Sequence, residues 1–235
     1  MKKSSKNYLY NSAFSMLELV FVIVIIGILA ATIIPQTQTN PLEEAAIQVA
    51  SHIKYTQHLA IMDDRYDANR TDKKSKVKWY KERWQLVFTS SKFSGYAEAY
   101  TIFSDRIKNS TGGANEGEIA RNPENSTQIM TGGYGNTAAV NYTNPNFMGM
   151  EKLNIGHSYG VTSVKFTGGC GGKRISFDHL GRPLKGSLSS MKSPYNSQAG
   201  SQRLIKKTCH INLSDGSDTV SIHIEPETGY VSTKF

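Results

Sequence analysis

Twelve residues, Lys73-Lys-Ser-Lys-Val-Lys-Trp-Tyr-Lys-Glu-Arg-Trp84, hold six cations and three aromatic rings. Cations track phosphates and aromatic faces stack on unpaired bases, so Lys73, Lys74, Lys76, Lys78, Trp79 and Lys81 are candidates for contact with DNA. The competing reading is a solvated loop that enters a strand, with Trp84 and Trp79 in a core. A second basic group, Arg203, Lys206 and Lys207, precedes Cys209 and could join Lys173 and Arg174. Spacing alone leaves open whether these cations share a face.

Catalytic chemistry is poorly represented. His157, His179, His210 and His223 are scattered, no nucleophile-elbow sequence occurs, and no carboxylate pair falls in a recognisable motif. His52 and His58 are six apart and cannot share a helix face, which argues against a metal site there. Asp215 and Asp218 in Ser214-Asp-Gly-Ser-Asp-Thr219 lack the ligand run of a calcium loop and read as a β-turn. Gly112-Gly113 and Gly132-Gly133 have no strand-then-helix context for cradling phosphate. The expectation is a non-enzyme without catalytic residues, cofactor or metal.

Glu18 is the remaining oddity, a carboxylate five residues into an apolar block that starts at Phe14. No further charge occurs from Leu19 to Pro41. A charge at the edge of a bilayer costs on the order of 2 to 3 kcal/mol and asks for a partner. A helix from Phe14 to Pro35 would rise roughly 33 Å, enough for a hydrocarbon core of about 30 Å. Lys2, Lys3 and Lys6 precede it, and Glu43 and Glu44 are the first charges after it. The positive-inside bias then predicts a single-pass inner-membrane protein with a cytoplasmic N-terminus and the bulk of the chain on the other side, in the periplasm. A secretory signal would have a shorter apolar core and a small-x-small cleavage site.

The chain has 235 residues and a formal charge of +8, from 27 Lys and Arg against 19 Asp and Glu. A moderate positive excess favours anionic partners such as nucleic acid or lipid head groups. About 200 residues after the apolar block can form one sizeable domain or two small lobes. Leu42, Ala46, Val49, Ile53 and Ala60 recur at helical spacings, predicting an amphipathic continuation over 36–62. Arg83–Thr89 and Tyr96–Phe103 read as a hairpin, 109–150 as a long loop, and 164–166, 173–177, 209–213, 219–224 and 230–233 as a strand meander. Cys170 and Cys209 read as one disulfide if the domain is exported, or as two buried thiols if it is not.

Ala13-Phe14-Ser15-Met16-Leu17-Glu18-Leu19 resembles the prepilin peptidase motif of type IV pilins and of type II secretion and competence pseudopilins. The shared elements are a short basic leader, a small residue, a new N-terminal Phe and Glu at the fifth mature position; Ala13 stands where the family nearly always has Gly. Pro35, the twenty-second residue from Phe14, falls where pilin helices commonly carry a proline that interrupts the helix. The resemblance implies a leader over 1–13, cleavage between Ala13 and Phe14, methylation of Phe14, and Glu18 as counter-ion to the N-terminus of a neighbouring subunit. Phe177-x-x-x-Gly181 and Pro226-x-Thr228-Gly229 look like the closing strands of H-type minor pseudopilins and related DNA-uptake minor pilins.

Together these readings predict an α+β, pilin-like fold. A long N-terminal helix, transmembrane over 14–35 and a stalk over 36–62, would pack on an antiparallel β domain over 63–235. The implied function is a minor pseudopilin of a type II secretion or type IV pilus-like machine that contacts cargo, with a DNA receptor for natural transformation as the alternative. Implied partners are other pilin subunits, prepilin peptidase, the inner-membrane assembly platform, and DNA or secreted protein.

Overall fold

The computed structural model describes residues 15–33, 40–63, 78–106, 112–194 and 203–235. The chain divides into two compact units, Met1–Thr39 and Asn40–Phe235. The first holds helix α1, Met16–Ile33, whose opening amides fold back on Ser15: the Glu18 amide donates to the Ser15 hydroxyl at 3.2 Å. Every side chain of α1 described, through Ala30, is apolar or Glu18, save Gly27, and all are exposed.

The second unit opens with α2, Pro41–Met62. Asn40 caps it by accepting from the Leu42 amide at 3.0 Å, Pro41 supplies the fixed φ of a first helical position, and Glu43 and Glu44 sit in the first turn. One stripe, Leu42, Ala45, Ala46, Val49, Ala50, Ile53 and Ala60, is buried in the core.

That core lies between α2 and two four-stranded antiparallel sheets. β1 (Trp84–Ser90) and β2 (Glu98–Ser104) form the expected hairpin, closed by a turn in which Ser91 and Ser94 cap each other. β4 (Arg174–Phe177) pairs with β1, and β5 (Pro183–Lys185) with β4, giving the order β2-β1-β4-β5. The second sheet runs β3-β6-β7-β8, from β3 (Ser163–Gly168), β6 (Cys209–Ser214), β7 (Thr219–Ile224) and β8 (Val231–Lys234). The C-terminal strands are therefore not one meander, because β4 and β5 leave it to extend the hairpin sheet. The 112–150 segment holds short 3-10 turns and is anchored: Thr101 bridges Thr131 and Phe103 bridges Ile119 along the edge of β2. A short helix, α3 (Ile155–Tyr159), follows it.

Two expectations are overturned. Among the described residues the long N-terminal stalk helix of an α+β, pilin-like fold is absent; they form mainly antiparallel β structure, with α1 and α2 as two shorter helices, the second with its own cap. The single-pass inner-membrane placement also fails: among the described residues no helix is long and apolar enough to cross a membrane. The physical reason is length and polarity. The 18 residues of α1 rise roughly 27 Å, short of a core of about 30 Å, and α2 carries Glu43, Glu44 and Lys54.

Candidate functional site

Glu18 is in the first turn of α1, exposed, and the only charged side chain among the described residues of that helix. An acid near a helix N-terminus is favoured by the backbone dipole, so Glu18 suits its helix as well as a partner. Ala13, Phe14 and Pro35 lie outside the described residues.

The two glycine motifs of the C-terminal half meet at α2. Gln57 Nε2 donates to Gly181 O at 2.8 Å and to Thr228 O at 2.9 Å, tying the β4–β5 turn to the turn before β8. Both glycines adopt left-handed φ, +79° at Gly181 and +64° at Gly229, and a Cβ on Gly229 would lie 2.7 Å from Gly181 O. Asp178 completes the first turn by accepting from the Leu180 and Arg182 amides and by pairing with the Arg182 guanidinium at 2.8 Å.

Cys170 and Cys209 form a disulfide with Cα atoms 4.7 Å apart. β3 ends with Gly168 paired to Cys209, so Cys170, two residues on, turns back over the start of β6. Gly169 permits that return: a Cβ there would sit 1.9 Å from Lys207 O.

The basic candidates are sorted by the fold. Lys73, Lys74 and Lys76 lie outside the described residues. Lys78 is half-buried at the head of a 3-10 turn, Trp79–Lys81. Trp79 is 2% exposed and packs with Tyr80, Leu184, Leu188 and Met191 beneath the Arg83 guanidinium, 5.1 Å from the ring centroid, so its face is not available to a base. The Lys81 ammonium donates to Ser189 O, and Arg203 donates to Ser190 Oγ at 2.6 Å. The two basic segments thus converge on one short turn, Leu188–Ser190. Burial first, and then the Lys78 charge, hold the Lys81 ammonium below its ordinary pKa. Lys207 is exposed beside the disulfide, while Lys206 lines a separate groove with Arg182 and Glu227. Lys173 is bound to Glu98 at 2.5 Å, and Arg174 donates to Gln85 Oε1 and Gly112 O, so neither joins the Lys81 group through its own hydrogen bonds.

Asp215 Oδ1 accepts from the Ser217 and Asp218 amides, both at 2.8 Å, so the side chain closes the loop between β6 and β7. The Asp218 amide first, and then that of Ser217, lower its pKa. His210 and His223 are cross-strand partners with ring centroids 4.3 Å apart. Among the described residues, no group of three or more His, Cys, Asp or Glu side chains is placed to hold a metal ion.

Two polar arrangements have no sequence signal. Beneath α2, Tyr100 Oη lies 2.6 Å from His52 Nδ1 and accepts from Gln48 Nε2 at 2.9 Å, while Tyr159 donates to Gln48 Oε1 at 2.8 Å. The imidazole tautomer sets which of the two donates; burial lowers the His52 pKa to about 4 and raises that of Tyr100. At the end of β2, buried Asp105 accepts from the Gly112 amide, and buried Glu118 accepts from the Arg106 and Asn115 amides. Such groups are scattered along the chain and converge only through tertiary packing.

Compared with known proteins, the chain matches no family model, no curated protein and no solved structure.

Proposed function

We propose that the chain is an assembling subunit of a filament of the type IV pilin and pseudopilin class, serving a type II secretion or type IV pilus-like machine. In this reading α1 packs among the equivalent helices of neighbouring subunits, and the β unit decorates the filament and contacts cargo. The observation that carries it is α1 itself, an apolar helix with every described side chain exposed and Glu18 as its one charge. A helix apolar on all sides needs cover, and a carboxylate enclosed with it needs a cation. The α-amine released by cleavage between Ala13 and Phe14 is such a cation, and pairing it with Glu18 of the next subunit would set the axial register.

The test is intact mass after co-expression with and without an active prepilin peptidase. A start at methylated Phe14 that depends on the peptidase is expected, as is loss of filament incorporation in Glu18→Val with the disulfide intact. A Met1 start beside a processed control pilin, or normal incorporation of Glu18→Val, would remove the reading.

The convergence of Lys81 and Arg203 on the Leu188–Ser190 turn favours a second reading, a DNA-binding receptor for uptake. With Trp79 buried, contact would be through phosphates rather than through stacking on that ring, so affinity should fall steeply with salt. Replacing Lys78, Lys81 and Arg203 by Ala should flatten the log K against log salt slope by about 3, roughly one per lost phosphate contact. An unchanged slope rules this surface out.

A further inference from the structure

The 112–150 loop builds a groove of about 760 Å³, a size that accommodates a small organic ligand. Its wall carries two aromatic rings. Tyr142 stacks on His157, with centroids 5.1 Å apart and planes 13° from parallel, and Phe147 meets Tyr142 edge-on at 5.5 Å. Phe147 lies over Gly149, where a Cβ would come within 2.2 Å of Phe147 Cζ. The glycine thus seats the ring. A smaller groove of about 250 Å³ shares Gln128, Phe147 and Gly149, which makes Phe147 a ridge between two depressions.

The polar lining has hydrogen-bonding capacity left over. Gln128 spends its Oε1 on Asn122 Nδ2 and Asn144 its Oδ1 on the Asn146 amide. Among the described residues, neither amide NH2 group has a hydrogen-bond partner, nor does the Tyr142 hydroxyl. Burial, and then the Glu151 carboxylate, raise the Tyr142 pKa, in keeping with a hydroxyl that faces that acid. The backbone here is already paired: the Ile129 amide donates to Met148 O, Met150 to Thr131 O and Met148 to Ala139 O. An added peptide strand would find no free ladder in these segments.

We infer that this groove binds a neutral oligosaccharide, with sugar faces against Phe147 and Tyr142 and hydroxyls bridged by Gln128, Asn144 and Glu151. Hydroxyls both donate and accept, and they match a mixed set of amide donors and carboxylate acceptors on flat aromatic ground. Charge selects against the polyanion alternative, since Glu124 and Glu151 outnumber Lys152 in the lining. The ridge and second depression suit an extended chain rather than a single ring. This site is independent of the filament reading and of the Lys81 surface.

The test is saturation-transfer NMR on the full chain with chitotriose, cellotriose and maltotriose, irradiating the aromatic protons. Transfer to at least one trisaccharide is expected, little changed from low to high salt. It should weaken at least about tenfold in Phe147→Ala and in Gln128→Ala. If Phe147→Ala fails to fold, Gln128→Ala and Asn144→Ala decide, since both change exposed or half-buried amides. No transfer to any of the three sugars, or transfer undiminished in the folded variants, overturns the assignment. So does transfer only to an oligothymidylate or an extended peptide.

Discussion

His52 and Asp105 give the protein two opposed responses to acid. Burial holds the His52 imidazole at about 4, below its ordinary 6.5. Folding therefore favours the neutral ring, and the stability it contributes is complete above pH 6.5 and is lost as pH falls from there toward 4. Allowing for partial solvent access, the loss is about 2 kcal/mol. Asp105 runs the other way. Burial pushes its carboxyl up to about 6; the Gly112 amide opposes this, Glu118 adds to it, Arg174 opposes it and Glu82 adds to it. Folding favours the protonated acid, so its contribution is complete below about 4 and is lost as pH rises through 6. Urea unfolding from pH 4 to 7 should then show a steeper rise with pH in Asp105→Asn than in the parent chain. His52→Gln, which keeps a polar group for Tyr100, leaves the Asp105 contribution alone, so its stability should fall as pH rises over the same range. Parallel curves for all three proteins would mean that neither group is shifted by the fold.

The Cys170–Cys209 link is the covalent element of the second unit and joins the end of β3 to the start of β6. With a sequence separation of 39, removing it should cost about 4 kcal/mol through the entropy returned to the unfolded chain. Cys170→Ala/Cys209→Ala should lower the urea midpoint accordingly, and reductant should do the same to the parent chain but not to the variant. Much of this level was legible from residues. Alternation marked Cys209–Leu213 and Thr219–Ile224, and Asp215-Gly216 marked the turn between them. The division of the strands into two sheets was not legible, because β1 pairs with β4 about ninety residues away and no local pattern encodes that choice. β5 is three residues long and opens on Pro183, too short for a periodic signal. An interruption was read at Pro35, which lies outside the described residues, whereas the start of α2 had its own local sign, Asn40-Pro41 ahead of two glutamates. Trp79 shows the same limit at the basic segment: composition suggested a stacking platform, and packing against Leu184, Leu188 and Met191 claimed the ring.

At the scale of the whole chain, folding and association are divided between the two units. Every described member of the three apolar clusters comes from residue 42 or later, so the energy of the β fold is gathered within Asn40–Phe235. Met16 through Ile26, apart from Glu18, keep large apolar side chains at least 44% exposed, which gives α1 a strong drive to associate. A chain beginning at Asn40 should therefore form the Cys170–Cys209 disulfide and unfold in urea with a stability within about 0.5 kcal/mol of the full chain, the range of changes remote from a core. It should also sediment as a monomer where the full chain self-associates. A large loss of stability on this truncation would show that α1 belongs to the β core after all. Self-association that survives it would move the assembly surface from α1 and Glu18 onto the β unit.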